Sequence, residues 1–137
     1  MSINRGEIWM VDFGQQSGED DHLQHGLRPV VIVSNDTANR HSPVVHCVPL
    51  TSRVRKKRYM PTHVFISARQ AAGLARDSIA QCEQLQAVNE SAMRDRIGCV
   101  TEHQMHQIDV GIQVQLALEN RHKGGAADDG SGAQELP

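Results

Sequence analysis

Aromatic side chains are scarce in this 137-residue chain, which has one Trp, one Tyr and two Phe. So few ring faces argue against recognition built on extensive stacking, the device of many single-strand nucleic-acid binders. Cysteine is also sparse. Cys47, Cys82 and Cys99 are odd in number, widely separated and set in apolar stretches without a C-x-x-C pair, so three buried, reduced thiols are expected. Histidine is more frequent, and His22 with His25, like His103 with His106, are three residues apart. Neither pair has a second pair at zinc-site spacing, and no metal site or cofactor is expected. No apolar run approaches the roughly 18 residues that span a bilayer. Met1 is followed by polar Ser2-Ile3-Asn4-Arg5 with no apolar leader, so a soluble, cytoplasmic protein without membrane contact is expected.

Charge of one sign is missing too. The formal net charge is −2. Residues 124–137 contain Asp128, Asp129 and Glu135 and no Lys or Arg; without them the body has 14 bases against 13 acids. Contact with a polyanion would therefore have to be local.

What the chain does have is strand signals. Gly6 to Phe13 is a short β-rich run, followed by residues 14–25, whose Gly and polar content predicts a loop. Val30 to Val33 is continuous in β-branched residues, as in a strand buried on both faces, and stops at Ser34-Asn35-Asp36. Val44 to Leu50 is the next strand, with Pro49 pointing to an edge or a bulge. Thr62 to Ser67, Asp77 to Val88 and Ile97 to Val100 supply three more, and Ala68 to Leu74 is at most a short helix. The firm helix comes last: Thr101 and Gln104 have capping-box spacing, and Met105, Ile108, Ile112 and Leu116 form a stripe running to about Glu119. From Gly124 a flexible tail is expected, so residues 1–120 form the domain and 121–137 the tail. Short strands in series with one terminal helix predict a mainly β fold with α, a small, strongly curved antiparallel sheet or partly open barrel. There is no internal repeat.

Five blocks, "RGEIWMVDF" (5–13), "GLRPVVIVSND" (26–36), "NRHSPVVHCVPLTS" (39–52), "MPTHV" (60–64) and "RDSIAQCEQLQ" (76–86), carry a resemblance to a known family. In this order, over roughly residues 4–119, the chain resembles the MazF/PemK (Kid-like) toxins of type II toxin–antitoxin pairs. The resemblance implies an SH3-like β-barrel of the CcdB/MazF type with a C-terminal helix. It also implies a homodimeric, metal-independent endoribonuclease, in which the 2′-hydroxyl of single-stranded RNA attacks its own phosphate to leave a 2′,3′-cyclic phosphate and a 5′-hydroxyl. Its partner would be a MazE/PemI-like antitoxin, in larger assemblies where stoichiometry allows.

In-line attack needs charge stabilisation on the phosphorane, a base and an acid. Arg28 matches the arginine of the family's R-P motif, and its permanently charged fork of donors suits a phosphate. Thr51 matches the family's catalytic threonine. Glu83 stands where some members have a general base, followed by Gln84, which the resemblance assigns to RNA binding. Gln81 stands where one branch has an arginine as general acid, so the acid is open; the resemblance places Gln81 among the RNA-binding positions. Glu19 best matches the family's loop acid, although "DDHLQH" after it is an insertion, and His25 or His22 could transfer protons near neutral pH. Ser52, Arg53, Arg55, Lys56 and Lys57 follow Thr51 as a polar and basic run suited to the RNA backbone. Two other functions stay open: a non-enzymatic toxin of the same fold, such as a gyrase inhibitor, and a catalytically silent SH3-like interaction module.

Overall fold

The computed structural model describes residues 2–54 and 60–119. The β-branched run Val30–Val33 becomes part of the middle of a seven-stranded antiparallel sheet. Strands β1 (Glu7–Asp12), β2 (Leu27–Ile32) and β3 (Val44–Thr51) lie side by side, and β7 (Met93–Cys99) takes the outer edge of β1. On the far side of β3 come β5 (Ser78–Gln81) and then β4 (His63–Ile66), while β6 (Gln86–Asn89) also pairs with β3.

Alternation along these strands gives the sheet two apolar faces. Val31, Val48, Leu50, Ile66 and Ala80 point to one, where Ile108 of the terminal helix covers them. Trp9, Val11, Val30, Ile32, Val45 and Cys47 point to the other. Both sets are buried, as the unbroken Val30–Val33 run predicted. Burying each such Val or Ile contributes about 1.5–3 kcal/mol, which is why the sheet holds without disulfides.

The sheet curls without closing. Its two end strands approach where Ala72, in the β4–β5 connection, bridges Cys99 of β7. The backbones nearly touch there: a Cβ on Gly98 would lie 1.7 Å from the Ala72 carbonyl oxygen, so only glycine fits. The segment expected as a short helix, Ala68 to Leu74, is a chain of turns leading to this bridge.

Two elements differ from expectation near the chain's middle and end. Helix α1 (Asp36–His41) grows from Ser34-Asn35-Asp36, read from sequence as a stop; Asn35 is its N-cap, accepting from the Ala38 N–H. Helix α2 (Glu102–Leu116) has the full capping box of Thr101 and Gln104. Ile108 is buried and Met105 and Ile112 pack on the sheet, but Leu116 is half exposed, with Val114 and Leu118 beside it on the surface. The stripe is spent at Ile112, and the helix ends at Ala117 in the left-handed conformation, short of Glu119. Arg5 clamps α2 to the sheet, its guanidinium 2.5 Å from Asp109 and donating also to the Val33 carbonyl. Of the thiols, Cys47 and Cys82 are buried, whereas Cys99 is exposed on the outward side of edge strand β7, against expectation. The tail expected from residue 121 lies outside the described residues. Among those described, no helix is long and apolar enough to cross a membrane.

Candidate active site

The β2–β3 ladder runs as far as Val30 opposite Pro49, and Arg28 on β2 and Thr51 on β3 lie two residues beyond that pair. Both therefore extend the face of Val30 and Cys47 past its apolar end, where β1 contributes Val11 opposite Arg28. Arg28 is exposed. Its Nε donates to the His25 carbonyl at 3.0 Å, and its two terminal amino groups have no partner among the described residues. Thr51 is half-buried, and its Oγ1 accepts the Arg53 N–H at 3.2 Å, which leaves the hydroxyl hydrogen available to donate. Ser52 and Arg53 are exposed; Arg55, Lys56 and Lys57 lie outside the described residues.

Sequence reading took Asp77 to Val88 as one strand, and the structure divides it. Leu50 pairs with Ala80 of β5, whereas Cys47 pairs with Gln86 of β6. The partner chain thus gains three residues over β3, and these are Cys82–Gln84, wound into a 3-10 turn. Pro49, which has no N–H to satisfy, sits beside the gap. Glu83 is consequently lifted out of the sheet on a bulge rather than set flat in a strand.

This turn is tied down from three sides. From β4, His63 Nε2 lies 2.6 Å from Glu83 Oε2, and the Thr62 hydroxyl donates to Oε1 at 3.3 Å. The His63 side chain is 1 % exposed and that of Glu83 26 %. From the loop, Gln24 donates to Gln81 Oε1 at 3.1 Å, and Gln84 donates to the His22 carbonyl at 3.3 Å. From below, α2 presses Gly111 against Cys82, whose thiol donates to the Ile108 carbonyl at 3.6 Å. Burial, with the nearby charges of Glu83 and Asp109, pushes the Cys82 thiol up to about 12, so it stays protonated.

The loop between β1 and β2 is less shapeless than its composition suggests. Asp21 accepts from the backbone of Ser17 and Leu23 and from the Ser17 hydroxyl, and the two backbone donors chiefly hold its carboxyl below the usual range. Glu19 is exposed on this loop and Gln81 is buried beneath it. His25 Nδ1 and Gln84 Oε1 are buried without a partner among the described residues. The loop thus bridges the two halves, touching Arg28 at His25 and the Glu83 turn at His22 and Gln24.

Sequence reading missed His63 as a contact of Glu83. The one signal was a titratable residue inside the apolar run "THVFIS", and nothing in the run says what it faces. Among the described residues, no three His, Cys, Asp or Glu side chains cluster as a metal-ligand set.

The chain as a whole resembles known proteins. Residues 4–116 match the family model described as "PemK-like, MazF-like toxin of type II toxin-antitoxin system". The chain is 32% identical over 118 residues to Endoribonuclease EndoA of Bacillus subtilis (strain 168), covering 86% of this chain and 97% of that one. Among solved structures it resembles an endoribonuclease in complex with its cognate antitoxin from a mycobacterial species, with a TM-score of 0.70 and 25% identity over 86% of this chain and 98% of that one. It shares its fold with MazF from Deinococcus radiodurans, with a TM-score of 0.71 and 17% identity over 86% of this chain and 99% of the other. With the family model matched over residues 4–116 and a relative 32% identical along nearly its whole length, the chain belongs to the PemK-like, MazF-like toxins of type II toxin–antitoxin systems.

Proposed function

We propose that this toxin is an endoribonuclease that cuts single-stranded RNA by attack of the 2′-hydroxyl on the adjacent phosphate, without a metal. Arg28 stabilises charge on the phosphorane, Thr51 hydrogen-bonds a phosphate oxygen, and Glu83 takes the 2′-hydroxyl proton. The observation that carries this reading is the shared strand end: on paired strands β2 and β3, a guanidinium whose terminal amino groups have no partner among the described residues, and a hydroxyl whose oxygen accepts while its hydrogen is left to donate. Both can donate to the same non-bridging oxygens, and a charged donor fork is worth most where negative charge develops. The leaving 5′-oxygen does not take its proton from Gln81, whose amide does not titrate and whose oxygen is engaged by Gln24.

RNA binding belongs to the rim. Glu19, Ser52 and Arg53 are exposed, and His25 and Gln84 each hold a buried polar atom, unpartnered among the described residues, that a base edge could satisfy. Arg55, Lys56 and Lys57 supply backbone affinity in this reading. The toxin works as a cytoplasmic homodimer, and an acidic, extended antitoxin segment competes with RNA for its groove. A neutral interaction module would have no use for an exposed arginine and a threonine at the shared strand end, and the endoribonuclease names of the relatives disfavour a gyrase-type inhibitor.

Digestion of a structureless RNA in excess EDTA, with analysis of the ends, tests the reaction. Cleavage should persist and give 2′,3′-cyclic phosphate and 5′-hydroxyl termini. Activity that EDTA abolishes and Mg²⁺ restores, or 5′-phosphate products, would refute it.

A further inference from the structure

We propose that His63 is a positioning residue that orients the Glu83 carboxylate for proton abstraction, a role resting on the reading of Glu83 as the base. The imidazole cannot act on RNA itself. Its side chain is 1 % exposed, against 26 % for Glu83, so the carboxylate is the member of the pair that reaches solvent. His63 acts through Glu83: its Nε2 approaches Oε2 at 2.6 Å, and the Thr62 hydroxyl holds Oε1.

The need for such a clamp follows from where Glu83 sits. A three-residue 3-10 turn sits outside the regular ladder, and an unrestrained glutamate loses rotamer entropy when it is fixed. Two donors on adjacent residues, Thr62 just before β4 and His63 at its start, one per carboxylate oxygen, meet that cost in the folded protein, before substrate arrives. The anchoring strand is itself fixed, because His63 pairs with Gln81 and Val64 with Ala80 in the β4–β5 ladder. Donors on one side of each oxygen leave the remaining lone pairs to accept a proton. A base displaced by about 1 Å loses on the order of 10²-fold in rate, so orientation is the property most sensitive to His63.

Single-turnover and steady-state cleavage should be measured for His63→Gln, His63→Asn, His63→Leu, Glu83→Gln and His63→Leu/Glu83→Gln, each checked by thermal melting. His63→Gln places an amide nitrogen near the site of Nε2 and should keep most of kcat. His63→Asn is too short to reach and His63→Leu has no donor; both should lose about 10- to 100-fold in kcat with KM little changed. In the Glu83→Gln background, His63→Leu should cost nothing further. The proposal is overturned if His63→Leu keeps the wild-type kcat, if the Gln and Asn variants lose equally, or if the loss persists undiminished without Glu83. Should His63→Leu fail to fold, the Gln–Asn contrast decides alone. Wild-type turnover by Glu83→Gln would instead sink the assignment of the base and His63's role with it, a result distinct from failure of the clamp.

Discussion

The strand-end pair Arg28–Thr51 and the turn carrying Glu83 are held in opposite ways. Arg28 rides on a regular ladder, but its side chain is exposed and, among the described residues, only Nε is engaged. Glu83 rides on an interruption of the ladder, yet both carboxylate oxygens are bound and the turn is gripped by loop, strand and helix. The difference fits two tasks. Charge stabilisation works through a group whose charge never changes, so backbone placement and a free donor fork suffice. A general base must present one lone pair at one angle, and a flexible carboxylate needs external donors to do so.

The largest effect should come from the unclamped side. Arg28→Ala removes the charge that faces the phosphorane and should lower kcat on the order of 10²–10³-fold. Because Arg28 is exposed and makes one hydrogen bond to a loop carbonyl, thermal stability should hardly change. Wild-type turnover under saturating RNA would reduce the R-P pair to a strand entrance.

The clamped side can be disturbed from a distance. A Cβ on Gly111 would lie 2.6 Å from Cys82 Sγ and 3.2 Å from Val64 Cγ2, so Gly111→Ala must push on the turn next to Glu83. Overpacking of this kind costs about 1–3 kcal/mol, while Ala in a helix interior returns about 1 kcal/mol over Gly. Melting temperature should therefore fall only slightly, and kcat should fall about tenfold as the carboxylate shifts. If kcat stays constant while stability drops, the helix does not set the geometry of the turn.

How much of this contrast could be read in the sequence differs between the two halves. Arg28 and Thr51 stand in motifs that name them, and the strands that hold them follow from β-branched runs; pairing those strands then needs only the short connection through α1. The bulge at Cys82–Gln84 left no comparable trace. "SIAQCEQLQAV" contains no Gly or Pro, and a register jump is a property of two strands together, visible only once β3 pairs with both β5 and β6. Helix α1 was missed for a different reason: Asn35 and Asp36 serve equally as turn residues and as a cap with its first-turn acid. Leu116 continued the helical period correctly, but periodicity cannot say where the surface it packs on ends.

Thr51→Val sharpens the comparison within the strand-end half. It removes one hydrogen bond to the charged phosphate, worth about 1.5 kcal/mol at the low end, and should lower kcat about tenfold or more. If Arg28 and Thr51 hold the same oxygens, the double variant should lose less than the product of the two single losses, since groups acting on one phosphate are not additive. Multiplying losses would mean that the two side chains serve different parts of the substrate.

The smallest effect on chemistry should come from the basic run after Thr51. Replacing Lys56 and Lys57 by Gln removes two cations that, on the reading above, touch only the RNA backbone. Each phosphate contact on a single strand releases about 0.7 of a counterion, so the slope of log K against log salt should become shallower by about 1.4. The kcat at saturating RNA should stay at the wild-type value, because backbone contacts bind ground state and transition state alike and uniform binding leaves turnover unchanged. KM should rise most at low salt and converge with wild type as salt increases, where screening has already weakened both proteins. An unchanged slope with a reduced kcat would place one of these lysines beside the scissile phosphate. Arg28 would then no longer be the sole cation there, and the division between an exposed charge and a clamped base would have to be redrawn.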